Sequence, residues 1–493
     1  MNDMPTPLLI GGREISRESF AATSPFYPGY SRLVSKATPL DVAAAIGCAR
    51  HAQPASPASR KAMLQRAADA FTWSDADVEC TVRMTGMPIQ QVAAMYAEIP
   101  AWLRAVPQIL EERFPPYQDQ NTFTGSLQPG VADRLLNPSP GFCYAITPGN
   151  DPRACALLAI NLCYLGIPFI LRASARDAAA LPLLRALLAG GFDPNFCSLL
   201  FLEPGAVSPL HFKLLDACQV VWTFGPRWLV DSRLRYESQG RRAWIELPQE
   251  GEVPDPASLL RSAASSEVQV EQARLDHFEG KVVLRHESTN CAAIACGSLD
   301  EQLRSMLYQA IAYPLGCTAT KSVMVVEGEG WLHTAADWLA ELVVGDPLDP
   351  RTQVGYVDPK NLDTLQRLAH ANRLRLQVFG GERLSQIQAR PMLVASQEEV
   401  PDFFAQEIPA YVLAMQACPS VEAAVERINS YTPDQPRLAV SLYNLPSQTI
   451  PWAASRLHAH AVLVDQPTTR MLPVFHEGND YAASLLVARM LIQ

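Results

Sequence analysis

Residues 142–174 read FCYAITPGNDPRACALLAINLCYLGIPFILRAS. A short apolar run at 142–147 stops in a Pro-Gly-Asn-Asp-Pro turn, a long apolar segment follows, and a second run at 168–173 carries Arg172 near its end with Ser174 beyond. Turn residues explain the bend, while two apolar runs on either side of a helix-length segment predict parallel strands with a crossover helix. The longest apolar stretch, ACALLAINLCYLGIPFIL at 154–171, contains Asn161 and Pro168. It reads as a buried helix followed by a strand, not a membrane span.

The alternation continues outward. Strands are expected at 196–202 and 219–224, and the first third is helix-rich, with apolar faces at helical spacing in DVAAAIGCARHA (41–52) and RKAMLQRAADAF (60–71). Residues 231–276 are polar, charged and rich in Ser, Glu and Arg, as in an insertion or inter-domain segment. A second α/β run begins at KVVLRH (281–286). It continues through CAAIAC (291–296), a helix at 300–313, strands at 321–327, 391–396, 410–417 and 437–443, and a helix at 420–431. Two open α/β units with a ligand cleft between them follow from this order.

Composition narrows the partners. The net charge of −10 argues against nucleic acid or an anionic membrane as the main partner. The opening MNDMPTPLLIGGREI is too polar to read as a secretory leader, so a soluble, cytoplasmic protein is expected. Eleven cysteines occur without CxxC pairs or Cys/His clusters, which suggests no metal site and makes most of them small buried apolar residues. Cys317, in LGCTAT (315–320), follows a glycine between a helix and a strand, where a loop can present a thiol to a cleft or simply pack it.

The order of these motifs resembles the aldehyde dehydrogenase superfamily over nearly the whole chain. LLIGGREI (8–15) resembles its opening strand pair, and TPGNDP (147–152) its Pro-x-Asn-x-Pro turn. PFILRAS (168–174) is similar to the strand ending Lys-Pro-Ser, VVWTFGPR (220–227) to the Phe-Thr-Gly-Ser segment, and LGCTAT to the Gly-Gln-x-Cys loop. VVGDPLDPRTQVG (343–355) and AQEIPAYVLAMQACPSVEAAVERIN (405–429) resemble the Val-Gly-Asp-Pro and Glu-Glu-x-Phe-Gly-Pro blocks. The fold class implied is α/β, aldehyde-dehydrogenase-like, with two open α/β domains and a small oligomerisation arm. Residues 1–120 and 141–280 would form the dinucleotide-binding domain, with 231–276 as a divergent insertion. Residues 281–469 would form the catalytic domain, and 121–140 with 470–493 the arm of a homodimer or homotetramer.

The resemblance also assigns roles. Cys317 would attack a carbonyl carbon, and the Asn150 amide with the Cys317 backbone N–H would stabilise the oxyanion before hydride leaves for NAD or NADP. The alternative is that Asn150 is a turn residue capping the next helix. Arg172 stands where the family has a ribose-binding Lys; its fork of donors would admit a 2′-phosphate, or it serves a surface ion pair. Ser174, Gly225 and Glu407 match cofactor-binding positions, Glu407 otherwise being a solvated loop carboxylate. Pro226 and Arg227 depart from the pattern: the proline removes a phosphate-binding N–H, and Arg227 offers charge instead.

The general base departs further. VVLRHESTNCAAI (282–294) lacks the family's Glu-Leu-Gly-Gly, leaving Glu287, displaced by about two residues, and His286 as alternatives, or neither. Three functions therefore stand open. The first is oxidation of an aldehyde to an acid through a thioester on Cys317. The second is an acylating dehydrogenase, an acyl-CoA or acyl-thioester reductase that needs no water-activating base. The third is a catalytically lapsed relative with a structural or regulatory role. Trp222, Phe224 and Phe475 are aromatic candidates for a substrate wall, each also suited to core or interface.

Overall fold

The computed structural model describes residues 4–117, 121–128, 132–203, 209–224, 234–238, 241–245, 269–272, 281–286, 291–298, 300–301, 303–304, 307–308, 316–328, 330–396, 400–405, 408–432, 436–470, 473–476 and 479–492. Two seven-stranded sheets organise it.

The first sheet contains β1 (Leu8–Ile10), β2 (Arg13–Ile15), β3 (Cys143–Ile146), β4 (Phe169–Arg172), β5 (Cys197–Leu200), β6 (Val220–Phe224) and β7 (Val282–His286), in the order β7-β6-β3-β4-β5-β1-β2. Strands β3 to β7 are parallel, and the β1–β2 hairpin closes one edge antiparallel. All of β3 and β5 is buried, as parallel strands covered on both faces must be. The crossover from β3 to β4 is helix Arg153–Leu165, every residue of which is buried, so the long apolar stretch is core.

The second sheet contains β8 (Cys291–Cys296), β9 (Thr320–Val326), β10 (Gln377–Gly380), β11 (Met392–Ser396), β12 (Val412–Cys418), β13 (Arg437–Tyr443) and β14 (Ala459–Val464), in the order β10-β11-β12-β9-β8-β13-β14. Only β10 runs antiparallel. The α-helices used below are α1 (Ile89–Arg113), α2 (Arg153–Leu165) and α3 (Pro209–Ala217).

One boundary differs from the sequence reading. Val282–His286 was expected to open the second unit, but it pairs in register with Val220–Phe224 at the edge of the first sheet. An apolar strand next to an open parallel edge satisfies its backbone there, whatever the composition of the chain before it. Within 231–276, strands Leu234–Ser238, Arg241–Ile245 and Gln269–Gln272 form a small antiparallel sheet. A further three-stranded antiparallel sheet joins Phe123–Gln128, Ala132–Pro138 and Leu486–Ile492. No helix among the described residues is long and apolar enough to cross a membrane.

Candidate active site

The chain leaves β3 toward β4 and β5, then returns to the other side of β3 as β6 and β7. Such a reversal opens a crevice at the carboxyl ends of β3 and β6, because the connections diverge there. The register aligns these ends: Ile146 pairs Arg172 and Thr223, and Phe224 pairs His286. The turn holding Asn150, the Arg172–Ser174 strand end and the His286 strand end thus share one edge. Gly225, Arg227, Glu287 and Glu407 lie outside the described residues, and so does the side chain of His286.

Local contacts fix the Asn150 turn. The Thr147 N–H donates to the Arg172 carbonyl at 3.2 Å. A Cβ on Gly149 would stand 2.5 Å from Ser174 Oγ and 2.8 Å from Arg176 Cβ, so this loop pair packs closely only without a side chain there. Ser174 Oγ itself accepts the Arg176 N–H at 3.2 Å. Helix α2 starts at Pro152 without a side-chain cap. The Arg153 N–H donates to Asp151 Oδ1 at 2.8 Å, so Asp151 serves the start of the helix.

Arg172 forms no ion pair among the described residues. Its Nη1 lies 3.5 Å from His211 Nδ1 on α3, and the same ring nitrogen is 2.8 Å from the Tyr144 hydroxyl. Burial raises the Tyr144 pKa, with the Arg172 guanidinium opposing it. The fork expected at a ribose is therefore partly engaged by His211 and Tyr144. Trp222 is fully buried against Tyr481, ring centroids 4.3 Å apart, which makes it core. Phe224 packs half-buried on the same core, and Phe475 is half-buried in a two-residue strand.

Cys317 sits in the turn entering β9, half-buried against Cys291, Leu438 and Ala439. Its carbonyl accepts the Cys291 thiol at 3.3 Å, and Ala319 N–H closes the turn onto the Gly316 carbonyl at 3.0 Å. Eight of the eleven thiols are buried, leaving Cys48, Cys296 and Cys317 with access to solvent. Burial pushes the thiols of Cys48 and Cys296 up, with Asp193 and Glu327 respectively adding to it.

The 466–470 segment is tied to the Cys317 loop by a residue the sequence did not flag. Thr468 Oγ1 donates to the Thr318 carbonyl at 2.7 Å and meets Thr320 Oγ1 at 2.7 Å. Its neighbours Pro467, Thr469 and Arg470 form one wall of a 470 Å³ cavity. Helix α1 (Gln90, Gln91, Ala94, Met95, Glu98), Arg153 and Tyr308 form the rest. One cavity therefore touches both the segment bonded next to Cys317 and the residue three positions after Asn150. Arg153 is 5 % exposed, held by Asp151 at 2.9 Å and by Glu98 at 3.0 Å.

Sequence reasoning also missed Arg437, which is fully buried at the start of β13 with Nη2 on the Phe404 carbonyl at 2.8 Å. Its Nε and Nη1 have no hydrogen-bond partner, and burial lowers its pKa to about 10. Only the Asp-Pro-Arg string could have drawn attention to Arg153; Thr468 and Arg437 have no sequence signature. Among the described residues no group of three or more His, Cys, Asp and Glu side chains is placed to hold a metal ion.

The crevice at β3 and β6 suits a dinucleotide. Thr147 and Thr223, both buried at its floor, have hydroxyls without a hydrogen-bond partner, and buried hydroxyls ordinarily find one. Ser174 and the Gly149 loop border the same edge.

The arrangement of two mainly parallel sheets is the fold seen in solved aldehyde dehydrogenases. No protein-family model and no curated protein matches the sequence of this chain. Among solved structures it is similar to the aldehyde dehydrogenase KauB from Pseudomonas aeruginosa, with a TM-score of 0.75, 17% identity, and coverage of 100% of this chain and 97% of that one. It is similar to aldehyde dehydrogenase 21 from Physcomitrella patens, solved with the reaction product succinate, with a TM-score of 0.72, 12% identity, and coverage of 100% and 99%. It is also similar to a variant of P. syringae AldA, an indole-3-acetaldehyde dehydrogenase solved with NAD+ and IAA, with a TM-score of 0.74, 16% identity, and coverage of 100% and 97%.

Proposed function

We propose that the protein is an NAD(P)-dependent oxidoreductase that converts an aldehyde to a carboxylic acid through a thioester on Cys317. What supports this reading is one cavity whose lining includes Arg153, three residues beyond Asn150, and Pro467, Thr469 and Arg470, neighbours of the Thr468 that is bonded to the Cys317 loop. Cys317 supplies the nucleophile, and the Asn150 amide, a donor without a competing titration at neutral pH, faces the developing oxyanion. Thr147, Thr223 and Ser174 hold the dinucleotide at the strand ends. When bound, the dinucleotide supplies the two-electron acceptor. Glu287 or His286 is the base that deprotonates water for release of the acid.

The test is NAD(P)H formation with a panel of aldehydes. Cys317→Ala should lower turnover by about 10³-fold or more while leaving the melting temperature in place. A fully active Cys317→Ala variant contradicts the assignment. Coenzyme A in the same assay separates the acceptors: hydrolysis to an acid is indifferent to it, whereas transfer to a thiol is accelerated.

A further inference from the structure

Behind the Cys317 turn stands a second thiol. Cys291 opens β8, is fully buried, and donates its thiol to the Cys317 carbonyl at 3.3 Å. The turn from Gly316 to Ala319 folds Cys317 onto it, and both side chains pack in one apolar cluster with Leu438 and Ala439. The other two thiols with access to solvent stand elsewhere. Cys48 lies on helix Pro39–His51, packed on the core of the first sheet. Cys296 ends β8. Five residues of strand separate it from Cys291 by roughly 16 Å, well past the span of about 7 Å between Cα atoms that a disulfide bridges.

A buried cation accompanies the pair. Ala292 pairs Val440, so Cys291 lies beside the first residues of β13, where Arg437 is fully buried. Arg437 forms no ion pair among the described residues, and its Nε and Nη1 have no hydrogen-bond partner. Its charge is within electrostatic reach of the Cys291 sulfur. A buried guanidinium without a counter-ion is unfavourable. A thiolate at Cys291 would supply one, and the thiolate is the form of cysteine that attacks another sulfur.

We propose that Cys291 is a resolving thiol: when a hydroperoxide oxidises Cys317, Cys291 closes a disulfide onto it, with Arg437 positioned to stabilise the attacking sulfur. In the first step the Cys317 sulfur attacks the peroxide. An S–O bond forms, the O–O bond breaks, water or an alcohol leaves, and the sulfur gives up two electrons to become a sulfenic acid. Cys291 then attacks that sulfur. An S–S bond forms, the S–O bond breaks, and the hydroxide leaves as water with the Cys291 proton. A dithiol reductant returns both thiols. Closure stops Cys317 short of the sulfinic and sulfonic acids, from which it would not return.

The test treats the full chain with equimolar hydrogen peroxide and maps its tryptic peptides without reduction. Peptides 286–304 and 305–321, which hold Cys291 and Cys317, should appear joined, about 2 Da below the sum of their reduced masses. Cys296→Ser should keep the link and Cys291→Ala should lose it, with melting curves checking that both fold. Dithiothreitol should restore the Cys317 thiol fully in the parent protein and only in part in Cys291→Ala, where oxidation runs on to the sulfinic acid. Arg437→Met should slow closure about tenfold, with Arg437→Lys restoring it. Peroxide that carries Cys317 of the parent straight to the sulfinic acid, leaves it unoxidised, or links it to Cys296 or Cys48 overturns the proposal. Equal closing rates in parent and Arg437→Met overturn the part given to Arg437. A Cys291–Cys317 disulfide in a protein that forms no NAD(P)H from any aldehyde sustains this proposal while the oxidoreductase reading falls.

Discussion

Gly149 lies where the two loops that frame the crevice touch. Its replacement by Ala forces a carbon to within 2.5 Å of Ser174 Oγ, and overpacking of this kind costs about 1–3 kcal/mol. Denaturant unfolding of Gly149→Ala should show that loss together with weaker nucleotide binding, and an unchanged midpoint would contradict the packing account. Asp177, on the same loop, is buried; its Oδ1 accepts the Ala179 N–H at 2.9 Å and its Oδ2 has no hydrogen-bond partner. Burial pushes this carboxyl up to about 7, with Asp151 adding to it and the Ala179 N–H and Arg32 opposing.

In the unfolded chain the same group titrates near its ordinary value of about 3.9. Between those values the native state holds a proton that the unfolded state has lost, so stability falls as pH rises through this window. Asp177→Asn keeps the acceptor for Ala179 and removes the titration. Its melting temperature should gain on the parent protein from about pH 4 to about pH 7 and level off above that; a constant difference across that range would refute the assignment. At this scale the sequence singled out Cys317 and Asn150 through the motifs that resemble the family's. It was silent on Asp151, Arg153 and Thr468, whose roles come from partners 2, 55 and 150 residues away.

The elements were more legible than the side chains. β8 and β13 have the bounds read from the sequence, Cys291–Cys296 and Arg437–Tyr443, because parallel strands covered on both faces are mostly apolar along their length. Helix α1 was not read at all. Pro100 and Pro107 interrupt its pattern, and proline ordinarily ends a helix by removing a donor and crowding the preceding turn. The helix survives on the burial of Val92, Tyr96, Ile99, Leu103, Val106 and Leu110 along one side. β7 was read as a strand but given to the wrong sheet, since pairing partners are not written in local composition.

The Cys317 loop adds a prediction at this level. Thr468→Val removes the hydroxyl that bridges Thr318 and Thr320 and leaves both groups buried without it. Alkylation of Cys317 by iodoacetamide should change in rate and kcat should fall about tenfold or more, with Thr468→Ser restoring both. Equal alkylation rates in parent and Val variant would show that the brace does not position the thiol.

For the molecule as a whole, the small three-stranded sheet raises the question of assembly. Leu486–Ile492 pairs Ala132–Pro138 on one side, and no described strand covers its other edge; Val487 on this strand is 48% exposed. Exposed, apolar strand edges invite pairing with another chain. A homodimer or homotetramer built through this edge is proposed, and light scattering at micromolar concentration should report it. Removing residues 486–492 should reduce the particle to a single chain, whereas a monomeric parent protein would dismiss the arm as an assembly device.

The pairing of Ala132–Pro138 with Leu486–Ile492 spans more than three hundred residues of chain. A ribosome has to produce both α/β units before this strand meets its neighbour, and during that interval its backbone donors and acceptors stand open on one side. Nascent chains stalled before residue 486 are therefore expected to be the species that chaperones hold, and fusions that crowd this strand should lower soluble yield more than fusions placed near Met4.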